Sequence, residues 1–243
     1  MNVEHVKFYS EKHLLHGNLS LPYEGAPCII GLHGLESSKD SRKWLIFESK
    51  LYNEGFGFLR FNFRGCGEKL NVSNGKFEET TLTSRIKDFK AALNFLKQYG
   101  KIDLSRIGVI GSSFGGMVAI AAQEKNVKAL VTLATPYRLN ENFILKREEE
   151  YCILSSGRKL RMEFFKDLQK YDLLKLIKQS PPILIIHGES DELIPVEHAY
   201  KLFKAAKEPK KLEIIKGADH SFSNIEHLNK LIELSINWFK IYL

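Results

Sequence analysis

Cysteine is scarce in this sequence, and the three cysteines form no pattern. Cys28, Cys66 and Cys152 are far apart and odd in number, without the spacing of a metal site or of a disulfide framework. This distribution excludes small disulfide-rich secreted folds and zinc-binding modules. We therefore expect a cytoplasmic protein, and we expect Cys66 to be a packing residue rather than a reactive thiol.

Long hydrophobic runs are also missing. The longest apolar stretch, residues 107–122, is interrupted by glycines, whereas a membrane-spanning helix needs about 20 apolar residues. The N-terminus, MNVEHVKFYSEKH, carries charges where a secretory signal needs an apolar segment. The sequence therefore predicts a soluble protein without a membrane partner.

The charge is positive overall, but it is not concentrated in one place. The chain has 36 Lys and Arg against 29 Asp and Glu, a net charge of +7. Lysines are mixed with acidic residues along most of the chain, and no nucleic-acid-binding motif accompanies them. We interpret the lysines as solvated helix faces and expect no nucleic-acid partner. The sequence does not indicate an oligomeric state.

The order of apolar and amphipathic segments predicts the fold class. Short β-branched or aromatic runs alternate with longer amphipathic ones, which is typical of an α/β fold with a mostly parallel sheet and helices on both faces. A chain of 243 residues with 44% hydrophobic content can form a single domain, residues 1–243. Strands are predicted at 6–10, 14–21, 28–34, 56–63, 106–111, 127–134, 182–188 and 211–216, and helices at 40–55, 83–100, 114–124, 197–207 and 224–240.

A segment at about 136–180 interrupts this alternation. It is dense in charge and shows no evident strand, so we predict a short helical cap or lid inserted between two strands. Its aromatic residues either line a substrate pocket or pack the cap onto the sheet; they are Tyr137, Phe143, Tyr151, Phe164 and Phe165.

Two adjacent serines lie between a predicted strand and a predicted helix. The segment GSSFG gives Ser113 a glycine two residues before it, Gly111, and another two residues after it, Gly115. The corresponding positions around Ser112 are bulky and apolar. A nucleophile on a sharp strand-to-helix turn needs small neighbours because its backbone is strained. Ser113 is therefore the candidate nucleophile; the alternative is a tight turn with incidental serines.

A serine nucleophile needs a base and an orienting acid, which are expected on loops after strands. Of the eight histidines, His220 lies directly after the last predicted strand and is the candidate base. Asp191, after the preceding strand, is preferred as the acid over Glu189. Asp219 is a poor candidate because a sequence neighbour cannot easily direct its carboxylate to the ring of His220. The resulting order is Ser, Asp, His.

These motifs together resemble those of a known superfamily. LHGLESS, FNFRGCGE, GSSFGG, HGESDELIP and GADHSF occur in the order and at the spacing of the α/β-hydrolases, over nearly the whole chain. The short cap and the segment NGKFEETTLTSRIKDFKAALNFLK most resemble the feruloyl or cinnamoyl esterase branch, and the wider similarity extends to serine aminopeptidase-like and acyl-peptide hydrolases. The resemblance implies an α/β-hydrolase fold, with the backbone N–H groups of Leu35 and Phe114 as the oxyanion hole. Lys69 departs from the serine that relatives often carry at that position.

The expected function is hydrolysis of carboxylic esters, short-chain or aryl, through an acyl-enzyme intermediate. The substrate would be a small-molecule ester, and the chemistry requires no cofactor and no metal. A peptidase, an acyl-peptide hydrolase or a thioesterase with the same triad remains an alternative. A non-catalytic binding protein with this fold is a further alternative, although all three triad positions carry competent side chains.

Overall fold

A mixed eight-stranded sheet forms the centre of the protein. The structure, a computed structural model, describes residues 1–139 and 144–243, except for the side chain of Lys69. The strand order is β1-β2-β4-β3-β5-β6-β10-β11, in which β1, β2 and β4 pair antiparallel and the remaining neighbours pair parallel. The strands are β1 Val3–Ser10, β2 His13–Ser20, β3 Ala26–Leu32, β4 Gly57–Phe61, β5 Ile102–Ser112, β6 Val127–Leu133, β10 Ile183–Gly188 and β11 Lys210–Ile215.

Helices cover both faces of the sheet. The core cluster on one face includes apolar residues of α2, α3 and α6, and the core cluster on the other includes those of α1 and α7. These helices are α1 Arg42–Asn53, α2 Leu82–Tyr99, α3 Phe114–Ala122, α6 Glu197–Ala205 and α7 Ile225–Tyr242. Strands β3, β4 and β10 are buried along their whole length, as expected for a sheet covered on both sides. The predicted α/β-hydrolase fold is confirmed.

Helix α2 shows how the local sequence sets the helix bounds. The hydroxyl of Thr81 accepts a hydrogen bond from the backbone N–H of Ser84, and the Ser84 hydroxyl accepts one from the backbone N–H of Thr81. This capping box satisfies two N–H groups that a helix start leaves unpaired. The helix ends at Tyr99 before Gly100, which has a left-handed φ of 75°. Glycine adopts that conformation without steric cost, so the predicted end of the helix at Gly100 is correct.

The inserted segment contains helices, but it is not wholly helical as predicted. Strands β7 Ile144–Arg147, β8 Tyr151–Leu154 and β9 Lys159–Arg161 form a separate antiparallel sheet, followed by the short helices α4 Glu163–Leu168 and α5 Leu173–Leu176. The expectation that no strand occurs here is wrong. Strand β7 is almost entirely exposed, so it lacks the alternation of buried and exposed residues that identifies a strand in sequence.

The cap is attached to the main body through α2. The carboxylate of Asp167 accepts hydrogen bonds from the backbone N–H of Thr83 at 2.8 Å and from its hydroxyl at 2.6 Å. The Thr83 hydroxyl also contacts the Tyr171 hydroxyl at 2.7 Å. These bonds fix the end of the cap to the first turn of a helix that packs on the sheet. Within the described part of the chain, no helix has the length and apolar character to cross a bilayer.

Candidate active site

Ser113 lies on a strained turn between β5 and α3. Its backbone has φ 52° and ψ −120°, a conformation that is rare for a residue with a side chain. Its N–H donates to the carbonyl of Leu133 at 2.7 Å, which connects the turn to the neighbouring strand β6. Strain of this kind persists only where the surrounding structure holds it, and it is concentrated at functional sites. Ser112, by contrast, is the last residue of β5 and is buried.

The two glycines around Ser113 are required by close backbone contacts. A Cβ atom on Gly111 would lie 2.5 Å from the carbonyl oxygen of Gly115. A Cβ atom on Gly115 would overlap the backbone of Leu32 and His33 at the end of β3. The glycines therefore allow the first turn of α3 to lie directly against the end of β3. This is the steric reason for the spacing seen in the sequence.

His220 and Asp191 are hydrogen-bonded to each other. They follow the neighbouring parallel strands β11 and β10, and His220 Nδ1 lies 2.8 Å from Asp191 Oδ2. Because an ionised carboxylate can only accept, Nδ1 carries the proton and Nε2 is left unprotonated in the neutral ring. Ser113 and His220 both line one cavity of about 680 Å³ at the carboxyl edge of the sheet. The structure thus brings together the predicted base and acid, and it puts the predicted nucleophile in the same cavity.

Three hydrogen-bond donors hold Asp191, and the ring of His187 lies beside it. Oδ1 accepts from the backbone N–H groups of Leu193 and Ile194 at 3.0 and 2.8 Å, and Oδ2 lies 3.2 Å from His187 Nε2 in addition to its bond to His220. Burial by itself raises the pKa of this carboxyl, but the contact with His187 and the hydrogen bonds from His220 and Ile194 lower it below its ordinary value. Asp191 is therefore an ionised carboxylate with a fixed orientation.

The other acidic residues of these loops have different partners. Glu189 is exposed and accepts from the backbone N–H of Gly217 at 3.0 Å. The side chain of Asp219 accepts from the N–H of Ser223 at 2.8 Å and from its hydroxyl, which closes the turn after His220. Glu192 accepts weakly, at 3.4 Å, from the backbone N–H of His220. In the regions that the structure describes, Asp191 is the carboxylate bonded to the ring of His220.

The two predicted oxyanion donors border the same cavity. Leu35 lies in the loop after β3, Phe114 is the first residue of α3, and both line the cavity with Ser113. Within residues 1–139 and 144–243, neither backbone N–H has a hydrogen-bond partner in the protein. The Phe114 N–H also belongs to the positive end of the helix dipole. These two N–H groups can therefore bind a negatively charged oxygen in the cavity.

Arg85 on α2 supports the loop that carries Leu35. Its side chain is fully buried and donates to the carbonyls of Gly34 at 3.0 Å and Leu35 at 2.6 Å. Its guanidinium lies over the rings of Phe63 and Phe114, at 4.7 and 5.2 Å from their centroids. The guanidinium thus contacts both the loop that carries Leu35 and the ring of Phe114 from within the core. Burial lowers its pKa, but an arginine remains charged in proteins.

His33 and Cys66 are structural, and for Cys66 this was expected from the sequence. His33 Nδ1–H donates to the carbonyl of Gly34 at 2.8 Å, and its Nε2 accepts from the N–H of Phe63 at 3.2 Å. Burial lowers the pKa of His33 to about 3, so the ring is neutral. Cys66 is buried beside Arg85, and burial raises the pKa of its thiol. A thiol with a raised pKa is unreactive.

The aromatic side chains of the cap that the structure describes pack against other side chains and do not line the cavity. Phe164 is fully buried, with its ring centroid 5.4 Å from that of Phe114, and it contacts Phe165 edge to face. Within the described part of the cap, the residues that border the cavity are Arg138, Leu139 and Ser155. Phe143 and the side chain of Lys69, both singled out in the sequence, lie outside the described residues.

Three residues that line the cavity or hold its surrounding loops were not identified from the sequence. Arg85 occupies the apolar stripe of α2 with Ile86 and Phe89, and a charge on such a stripe was the available signal. His198, in the predicted helix 197–207, is buried, lines the cavity and accepts from the N–H of Tyr137 through Nδ1. Burial lowers its pKa to about 4. Lys43 also lines the cavity, and nothing in the sequence near it indicates this.

Curated relatives match only part of their own length. The quorum-quenching protein AidA of Acinetobacter baumannii is 30% identical over 109 residues, which cover 44% of this chain and 34% of that protein. The acylamino-acid-releasing enzyme of Mus musculus is 21% identical over 213 residues, which cover 80% of this chain and 28% of the enzyme. The matches thus span about a third or less of these relatives.

Solved structures match over nearly the full chain. Est1E from Butyrivibrio proteoclasticus, with ferulic acid bound, superposes with a TM-score of 0.86 at 25% identity and covers 97% of this chain and 98% of its own. The esterase domain of a Rhodothermus marinus protein superposes with a TM-score of 0.80 at 24% identity, covering 100% and 99% of the two chains, and this likeness concerns the fold alone.

The family assignment follows from the match of a family model to most of the chain. Residues 44–243, which include the Ser113 turn and the loops of Asp191 and His220, match the prolyl oligopeptidase family. This chain therefore belongs to the prolyl oligopeptidase family of hydrolases.

Proposed function

We propose that this protein is a serine hydrolase that cleaves carboxylic esters, short-chain or aryl, through a triad of Ser113, His220 and Asp191. The observation that carries the proposal is the pair of His220 and Asp191, bonded at 2.8 Å, on the rim of the cavity that also holds Ser113. The full-length similarity to an esterase structure supports esters as the substrate class.

The first half-reaction forms an acyl-enzyme. Nε2 of His220 takes the proton of the Ser113 hydroxyl while the oxygen attacks the ester carbonyl. The N–H groups of Leu35 and Phe114 bind the resulting oxyanion. The tetrahedral intermediate collapses, the bond to the alcohol oxygen breaks, and His220 returns its proton to the departing alcohol. Asp191 stabilises the imidazolium throughout without taking the proton.

The second half-reaction repeats the same steps with water. His220 removes a proton from a water molecule, and the water oxygen attacks the carbonyl carbon of the acyl group that is attached to the Ser113 side chain. The bond to the Ser113 oxygen then breaks, the serine recovers its proton from His220, and the carboxylic acid leaves. Because general-base assistance supplies only about 10²–10⁴-fold, the oxyanion donors and the positioning of the substrate must supply the rest.

Arg85 is a positioning residue in this mechanism. It holds the carbonyls of Gly34 and Leu35 and so fixes the peptide planes of the loop that carries the Leu35 N–H. Its positive charge also lies beside Phe114, the second donor residue. Preorganised donors are worth more than mobile ones because they need no rearrangement when the oxyanion forms.

The identity of the nucleophile is tested with the two neighbouring serines. We expect Ser113→Ala to abolish hydrolysis of p-nitrophenyl butyrate, because no other hydroxyl occupies the strained turn, while the circular dichroism spectrum stays unchanged. Ser112→Ala is the matched control and retains hydrolysis. Activity retained by Ser113→Ala and lost by Ser112→Ala would show that the other serine is the nucleophile.

The identity of the acid is tested with an isosteric amide. Asp191→Asn removes the acceptor that fixes the His220 tautomer, so we expect kcat to fall by roughly 10⁴-fold, the loss typical of this change in a serine triad. Glu189→Gln, on the same loop, should leave kcat close to the parent value. A larger loss in Glu189→Gln than in Asp191→Asn would transfer the acid role to Glu189.

The role of Arg85 is tested by separating kcat from KM. Losing an oxyanion donor costs 10²–10³ in kcat, and since Arg85 acts through Leu35 we expect roughly a tenfold loss for Arg85→Met at nearly unchanged KM. Arg85→Lys keeps the charge but loses the two-point contact, so its kcat should lie between those of the parent and Arg85→Met. An unchanged kcat in a folded Arg85→Met protein would contradict this role.

A peptidase or acyl-peptide hydrolase is the second candidate, favoured by the match to acylamino-acid-releasing enzymes over 80% of the chain. Amides use the same machinery but have poorer leaving groups. We expect kcat/KM for p-nitrophenyl butyrate to exceed that for acetyl-alanyl and aminoacyl p-nitroanilides, with thioesters as a third series. Higher kcat/KM for the anilides would favour the peptidase. Failure of a fluorophosphonate to label Ser113 would favour a non-catalytic protein.

A further inference from the structure

Lys43 puts a positive charge into the cavity next to the candidate nucleophile. It lies in the first turn of α1, and its side chain lines the cavity together with Ser113 and His220. Its ammonium donates to the hydroxyl of Ser112 at 2.9 Å. Ser112 and Ser113 are adjacent, with Cα atoms about 3.8 Å apart. An ammonium bonded to Ser112 and bordering the same cavity is therefore close enough to contact a group that is bound to Ser113.

This ammonium lacks an ion pair among the residues that the structure describes. Of its three N–H donors, the described contacts use one, the bond to Ser112. Two buried cations near this region are paired: Lys39 with Asp40 at 2.8 Å and Arg60 with Glu48 at 2.9 Å. Lys43 is thus a cation on the wall of the cavity, and two of its N–H donors have no acceptor among the described residues.

The nearby carboxylates attract Lys43 but are bonded elsewhere. Asp219 is occupied by Ser223, and Asp191 by His220 and the groups that hold its loop. Phe222 covers the other side of the ammonium, with its ring centroid 5.5 Å away. Burial lowers the pKa of Lys43 to about 8, although Asp219 and Asp191 act in the opposite direction. Lys43 is therefore mostly charged at neutral pH and, being half-buried, only partly solvated.

We propose that Lys43 binds a carboxylate carried by the substrate, so that the preferred substrates are esters with a negatively charged group near the scissile bond. This inference rests on the proposed function. A partly solvated ammonium gains more from a charged acceptor than from water, and charge-assisted hydrogen bonds are the stronger class. A single carboxylate matches its single charge, whereas a doubly charged phosphate would bring excess negative charge close to Asp191 and Asp219.

The test compares matched charged and neutral esters. One pair carries the charge in the acyl half, mono-4-nitrophenyl adipate against its methyl ester. The other carries it in the alcohol half, the butyrate ester of 4-hydroxybenzoate against that of methyl 4-hydroxybenzoate. The measured quantity is the ratio of kcat/KM for the charged ester to that for the neutral ester. The pair that responds identifies the half of the substrate that Lys43 contacts.

Lys43→Met should lower this ratio in one of the two pairs by roughly 10- to 100-fold, the range that a hydrogen bond to a charged group supplies. Lys43→Arg should retain part of the preference. Lys50→Met removes the same charge from an exposed position at the other end of α1 and should leave the ratio unchanged. The inference is overturned if Lys43→Met leaves the ratio unchanged in both pairs. That includes the case in which the substitution slows the charged and the neutral ester equally.

The parent protein provides a test that needs no folded variant. The Lys43 charge is present below its pKa and is lost as the pH rises, so the ratio should fall as the pH passes about 8. The charged groups that act on Lys43 are the carboxylates of Asp219 and Asp191. The pKa of each is lowered, so both stay ionised over this pH range and act as a constant background to the change at Lys43. A ratio that is constant from pH 6 to 10 would contradict the inference. If the parent hydrolyses none of the four esters, the proposed function itself fails.

Discussion

The close approach of helix α3 to the end of strand β3 is the constraint on which the site depends. It exists because Gly115 has no side chain to collide with the end of β3, and because Gly111 on β5 has none to collide with the first turn of the helix. The approach puts the N–H of Phe114 on the same cavity as that of Leu35, which follows the neighbouring strand. It also forces Ser113 into its left-handed conformation. The absence of two side chains thus permits the arrangement of the proposed nucleophile and the proposed oxyanion donors.

Much of the framework could be predicted from the sequence because it is encoded locally. The order of strands and helices follows from apolar runs and from glycines such as Gly55 and Gly100. In the structure, each predicted strand of the main sheet and each predicted helix that covers it begins and ends within a few residues of the predicted bounds. The positions of Asp191 and His220 follow from a topological rule, since the loops after parallel strands share one edge. The choice between the acids also had a local basis, because Asp219 is bonded within its own turn.

What the sequence could not predict depends on contacts between distant residues or on segments without periodicity. Lys43 and Ser112 are separated by 69 positions, and Arg85 and Gly34 by 51, so neither pair has a local signature. Strand β7 escaped prediction because it has no buried face, and β8 and β9 because they are only four and three residues long. His198 could not be assigned to the cavity from the sequence because a histidine in an amphipathic helix has the same local pattern whether it faces solvent or a cavity.

The residues proposed for the chemical steps and the residue proposed for selectivity lie in different parts of this molecule. The family match begins at residue 44, so it includes Ser113, Asp191 and His220 but neither Leu35 nor Lys43. The proposed triad is positioned by strand ends and by glycines that tolerate no Cβ, so replacing those glycines would disrupt the backbone. Lys43, by contrast, projects from the first turn of a surface helix, where a substitution removes a charge and leaves the strained turn intact. Because hydrophobic pockets discriminate weakly between similar substrates, an ammonium on the cavity wall is an effective determinant of which esters such a site accepts.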